Sequence, residues 1–120
     1  STMSIQRIET GPRMSQAVIH NKTVYLAGQV AADDAGPGVY EQTRSILANI
    51  DRLLAAAGSD KSRLLSATIW LTDMDTFGEM NRAWEAWVVP GATPARATVM
   101  SPRLAAPKYH VEIGVVAAQS

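Results

Sequence analysis

VYEQTRSILANIDRLLAAAG, residues 39–58, decides how the rest of this sequence is read. Ile46, Leu47, Ile50, Leu53, Leu54 and Ala57 recur at spacings of three and four, the period that gathers them on one stripe of a helix. Gly58 supplies the stop, because glycine takes the left-handed conformation in which helices end. On either side the period changes. Upstream, "TVYLAGQV" (23–30) follows the turn-like "HNK" (20–22); downstream, "LLSATIWL" (64–71) is dense in branched and aromatic residues. Strand, amphipathic helix and strand in succession predict a right-handed crossover between parallel strands, from Thr23 to Leu71.

Working outward, "SIQRIE" (4–9) and "SQAVIH" (15–20) read as short strands, and "AADDAGPG" (31–38) reads as a loop. A second helix is expected to start near Asp73 or Asp75 and to carry Phe77, Met80, Trp84, Trp87 and Val88 on its buried face until Pro90 ends it. "RATVM" (96–100) and "YHVEIGVVAA" (109–118) complete the set, separated by the proline-marked loop "SPRLAAPK" (101–108). The order β-β-β-α-β-α-β-β predicts an α+β sandwich of the ferredoxin-like class, with two helices on one face of a mixed sheet. The other face must meet solvent or another subunit.

The chain has 120 residues, which suits one domain, taken as 3–120 because Met3 reads as the natural start. Eleven basic and eleven acidic residues cancel, and no basic run marks a nucleic-acid or membrane footprint. Cysteine is absent, which removes thiolate nucleophiles and Cys-based zinc sites and fits a reducing compartment. The two histidines, His20 and His110, are too few and too far apart to predict a metal cluster. No signal peptide or membrane span is read, so the expectation is a cytoplasmic protein without metal or organic cofactor.

One charge stands out. Arg96 lies between two alanines in an otherwise strand-like stretch, and period-two alternation separates Arg96, Thr98 and Met100 from Ala97 and Val99. In the last strand, Val111, Ile113, Val115 and Ala117 form an apolar row, with His110, Glu112, Gly114 and Val116 opposite. The expectation is that Arg96 and Glu112 share the face the helices leave open. A mixed face of that kind predicts a homo-oligomer with ligand sites at or near the subunit contacts. Plainer readings stand beside this one: Arg96 as an interfacial ion-pair partner, Glu112 as a solvated strand residue, His110 and His20 as surface histidines, and Trp70, Trp84 and Trp87 as core or interface.

Taken together, "LAGQVA" (26–31), "EQT" (41–43), "ATIWLTDMDTFGEMNRAWEAW" (67–87), "PAR" (94–96) and "VEI" (111–113) resemble the reactive intermediate deaminase, or RidA/YjgF, family, and its YoaB-like branch in particular. The resemblance implies a chorismate-mutase-like fold, a homotrimer with clefts between subunits, and hydrolysis of 2-imino acids to 2-keto acids and ammonia. It assigns Arg96 to the grip on the substrate carboxylate, Glu112 to the water as base and then acid, and Gly28 and Thr98 to the pocket lining, with Asn81 near the cleft. The chain also departs from the family pattern. Arg13 in "GPRMSQ" stands where many members have a tyrosine that closes over the substrate, Ala27 stands for a serine and Thr98 for a cysteine. Arg13 has two open roles: pairing with a carboxylate across the interface, or adding a second cation to the pocket and favouring a dicarboxylate. The alternatives to catalysis are a non-catalytic binder of small carboxylate metabolites and an older ribonuclease label, which the neutral charge and lack of a histidine pair disfavour.

Overall fold

The computed structural model describes residues 4–120, so the expected start at Met3 lies outside the described residues. The elements come in the expected order: β1 (Gln6–Thr10), β2 (Ser15–His20), β3 (Thr23–Leu26), α1 (Val39–Ala56), β4 (Leu64–Leu71), α2 (Phe77–Trp87), β5 (Ala95–Met100) and β6 (Val111–Ala118). All six strands form one sheet in the order β1-β2-β3-β6-β4-β5. β6 is antiparallel to both β3 and β4. The two strands joined through α1 therefore run parallel with β6 between them, and those joined through α2, β4 and β5, pair directly in parallel. The molecule measures 45 × 37 × 23 Å, the short dimension being that of a sheet plus one helical layer.

Local chemistry explains these elements. Asn21 and Lys22 both have positive φ, 54° and 63°, the two-residue turn whose twist suits the β2–β3 hairpin. In α1 the stripe read from the sequence is buried, with Ile46, Ile50, Leu53 and Leu54 fully inaccessible. Gln42, also buried, donates from Nε2 to the Lys108 carbonyl at 2.9 Å and accepts from the His110 amide at 3.0 Å, so it ties the 101–110 loop to the helix. Gly58 ends α1 with φ 76°. Before α2, the Asp73 carboxylate accepts from the Asp75 amide at 2.9 Å and organises a 3-10 turn over Met74–Thr76.

The core is one cluster between the helices and one face of the sheet. It joins Ala17, Ile19, Val24, Ala67, Ile69, Leu71, Val111, Ile113, Val115 and Ala117 to the buried stripe of α1 and to Met80 and Trp84 of α2. Each valine, leucine, isoleucine or methionine among them contributes about 1.5–3 kcal/mol by leaving water. The opposite face carries Val18, Tyr25, Val116, Trp70 and Val99, paired across neighbouring strands. Tyr25 and Val99 there are 47% and 43% exposed, so this apolar surface has no cover within the chain.

Two expectations need correction. The strand expected over 23–30 leaves the ladder after Leu26, and Gln29 rejoins it by a bridge to Ile113. Between the Tyr25–Val116 pair and that bridge this segment holds one more residue than β6, so Ala27 and Gly28 bulge. Phe77 is not on the buried face of α2. At the first residue of that helix it is 38% exposed and stands over the edge strand, its ring centroid 5.8 Å from the Arg96 guanidinium carbon.

Candidate functional site

The first cluster forms where β5, the edge strand, passes under the start of α2. Arg96 donates from Nη1 to Asn81 Oδ1 at 2.8 Å. Its guanidinium carbon lies 5.5 Å from the Trp84 ring centroid, so with Phe77 two aromatic rings flank the cation. Thr98, two residues along the same face, has a buried hydroxyl with no hydrogen-bond partner. No carboxylate pairs with Arg96; the ion pairs among the described residues are Arg52–Glu9 and Lys108–Asp33. A guanidinium has five donor hydrogens, and one neutral acceptor leaves most of them for a ligand.

The second cluster lies on β6. Glu112 is half-buried beside Trp70, its partner on β4. The carboxylate rests directly on Gly28, where a Cβ would collide with it, so any side chain there would push the carboxylate off this seat. Burial raises the Glu112 pKa above the ordinary glutamate value, with no charged partner opposing the shift. Arg13 is exposed in the β1–β2 loop, which lies at the Gly28 end of the sheet, since the Ala27 amide donates to the neighbouring Gln16 carbonyl at 2.9 Å.

The sequence reading placed Arg96 and Glu112 on one face of the sheet; the register places them on opposite faces. Arg96 pairs with Ala67 and Thr98 with Ile69, and those residues pair with the buried Val115 and Ile113. Arg96, Thr98 and Met100 therefore belong to the helix-covered side. Glu112 pairs with Trp70, which pairs with Val99, on the uncovered side. The error came from treating Ala97 and Val99 as core because they are apolar. On this edge strand Ala97 and Val99 face the uncovered side, and Arg96 and Thr98 turn toward α2.

The expected residues thus fall into two groups: Arg96, Asn81 and Thr98 together, and Glu112 with Gly28. Phe77, Trp84 and Trp70 wall the two charges; for the tryptophans, expected in core or interface, this adds to packing, since Trp84 also belongs to the core cluster. The signal for the first two was their seven-residue spacing on α2, which aligns them beside Asn81 as readily as it aligns a core stripe. His110 donates its amide to Gln42 and lines, with Thr72, Arg103 and Tyr109, a cleft of about 770 Å³ under the 101–110 loop that contains neither Arg96 nor Glu112. Among the described residues no group of three potential metal ligands occurs, and no helix is long and apolar enough to cross a membrane.

Comparison with known proteins agrees with this architecture. The family described as endoribonuclease L-PSP matches residues 4–119. The RutC family protein YoaB of Escherichia coli K12 is 49% identical over 116 residues, covering 97% of this chain and 99% of that protein. The mouse 2-iminobutanoate/2-iminopropanoate deaminase is 35% identical over 111 residues, covering 88% and 80% respectively. Among solved structures, a YjgF-family protein of Neisseria meningitidis superposes with a TM-score of 0.95 at 46% identity, covering 100% of this chain and 98% of that one. With a matching profile from end to end of the described chain and the same α+β sandwich, this protein belongs to the RidA/YjgF (endoribonuclease L-PSP) family, on its YoaB-like branch.

Proposed function

We propose that this protein hydrolyses small 2-imino or enamino acids to 2-keto acids and ammonia, in a cleft completed between copies of the chain. The observation that carries the reading is a cation and a carboxylate, each held without a counter-charge, on opposite faces of one sheet. Within one chain they cannot act on one small molecule. A head-to-tail contact, in which the Arg96 side of one copy meets the Glu112 side of the next, brings them together, and such contacts close into rings such as the homotrimer the resemblance implies. The exposed apolar surface around Glu112 supports such a contact.

In that cleft Arg96 holds the substrate carboxylate by paired charge-assisted hydrogen bonds, which fixes the imine carbon. The unbonded Thr98 hydroxyl is a ready partner for another ligand oxygen. Ionised Glu112 takes a proton from water as the water oxygen bonds to the carbon of the protonated imine (C=NH2+), and the C=N electron pair passes to nitrogen, leaving a neutral amine. Glutamic acid then returns its proton to the amine; the C–N bond breaks, ammonia leaves, and the remaining hydroxyl loses its proton to give the keto acid. The 35% identity to the mouse deaminase supports this chemistry. No cofactor or metal enters it, and the reading places the protein in the cytoplasm with no nucleic-acid or membrane partner.

A second reading, a non-catalytic carboxylate binder, is favoured by one feature: the family's closing tyrosine is replaced by Arg13, which is exposed and forms no ion pair among the described residues. A coupled assay that forms 2-iminobutanoate in situ separates the two. Faster keto-acid release with the protein supports the deaminase. Release at the uncatalysed rate across several 2-imino acids, with saturable keto-acid binding lost in Arg96→Ala, supports the binder.

A further inference from the structure

Gln29 is 5% exposed, and each functional atom of its side-chain amide is used. Oε1 accepts from Asn49 Nδ2 of α1 at 2.7 Å. Nε2 donates to Gln16 Oε1 of β2 at 2.9 Å and to the Ala27 carbonyl at 3.0 Å. Its backbone is equally committed, donating to the Ile113 carbonyl at 2.8 Å and accepting from the Ile113 amide at 3.0 Å. Asn49 in turn accepts from Arg52 Nε at 2.9 Å, and Arg52 pairs with Glu9 at 2.6 Å. A chain of side chains therefore runs from the surface, through α1, to the segment with the extra residue.

That segment is Ala27–Gly28, and what it carries is Glu112. Bulged backbone has lost its ladder bonds and needs other partners to hold one conformation. Here the same residue fastens it twice. The Gln29 side chain holds the Ala27 carbonyl from within, while its backbone docks on Ile113, the residue between Glu112 and Gly114. Gly28 is fixed between these points and lies directly under the Glu112 carboxylate. Only an uncharged amide suits the position: it must donate twice and accept once in a buried place. Glutamate would supply acceptors alone, and leucine would leave the Ala27 carbonyl, Gln16 Oε1 and Asn49 Nδ2 unpaired.

We propose that Gln29 is a positioning residue, whose buried amide, oriented by Asn49, pins the Ala27–Gly28 bulge and so sets the seat on which the Glu112 carboxylate works. The kinetic part of this inference rests on the deaminase reading; its spectroscopic part does not. Loosening the bulge lets the carboxylate shift and lets water reach it, while the Arg96 half, on the other face, is untouched. Of the charged or titratable side chains on the surrounding elements, His110 precedes Glu112 by two residues and Arg13 lies in the loop at that end of the sheet; neither bonds to it.

The test compares the wild type with Gln29→Leu and Asn49→Ala. Circular dichroism first establishes folding; the Glu112 carboxyl is then titrated by NMR with labelled glutamate, and kcat and KM are measured on a 2-imino acid. Asn49→Ala, at a half-buried helix position, removes the donor to Oε1 together with the acceptor of the exposed Arg52, and serves where Gln29→Leu does not fold. The Glu112 midpoint is expected to fall back toward that of an ordinary glutamate. The kcat is expected to fall about tenfold to a hundredfold with KM nearly unchanged, as for a misplaced reacting group. Folded variants with the wild-type Glu112 midpoint and the wild-type kcat overturn the proposal. If the wild type turns over no imino acid, the deaminase reading fails and the titration alone decides for or against Gln29.

Discussion

The two faces of the sheet treat charge differently. On the helix-covered face Arg96 sits at the rim of a dry core and is received by an amide, two aromatic rings and an unbonded hydroxyl. On the uncovered face Glu112 is received by almost nothing: a tryptophan beside it and a glycine below it. The cation is thus prepared to hold something, whereas the carboxylate, destabilised in its charged form by burial, is prepared to take a proton. On the proposed deaminase reading, holding and proton transfer are the two tasks of imine hydrolysis, and they are divided between surfaces that a single chain cannot bring together.

Separate substitutions on the two faces test this division. The largest effect is expected from Glu112→Gln, which keeps the shape and removes the base: kcat should fall about 10²- to 10⁴-fold in the coupled imine assay, with the fold intact. A drop confined to KM would show that Glu112 binds rather than reacts. Next comes Ile50→Ala on the covered side, where a fully buried side chain is lost. Denaturant unfolding should show a loss of about 2–5 kcal/mol, and kcat per folded molecule should not change. Arg96→Lys is expected to be milder, because the charge stays and the bidentate geometry goes: KM should rise about tenfold to a hundredfold while kcat falls less. An unchanged KM would remove Arg96 from carboxylate binding.

The smallest effect concerns pH. The folded-state pKa of Glu112 lies above that of an unfolded glutamate, so its protonation favours the folded state. That contribution is present in full below the ordinary glutamate value and is lost as pH rises through the raised one. Stability curves of wild type and Glu112→Gln should therefore diverge only across that window, and the acid limb of kcat/KM should lie above an ordinary glutamate's titration. Parallel curves would mean that burial does not perturb Glu112.

Much of the fold was legible because its signals are local. The stripe of α1 and the alternation of β6 identify their buried sides unaided, since α1 is apolar on one side only and β6 is unbrokenly apolar on one side while Glu112 interrupts the other. β5 shows where local signals end. Alternation separates Arg96 and Thr98 from Ala97 and Val99, yet only the register with β4 says which pair faces the helices, and register depends on contacts distant in sequence. Phe77 was misplaced for a related reason: an apolar residue in the first turn of a helix can overhang an edge as easily as enter a core. Gln29 and Gly28 gave no sign of a bulge, because the extra residue is defined only against β6.

The claim that one site draws on two copies is tested most directly by mixing two inactive variants. Arg96→Ala and Glu112→Gln, each alone, should show little turnover. Unfolded together and refolded in equal amounts, they should recover about a quarter of wild-type activity, the fraction of head-to-tail contacts that unite an intact Arg96 with an intact Glu112. If the mixed assembly stays as inactive as its parents, both groups are needed from the same chain and the account is wrong.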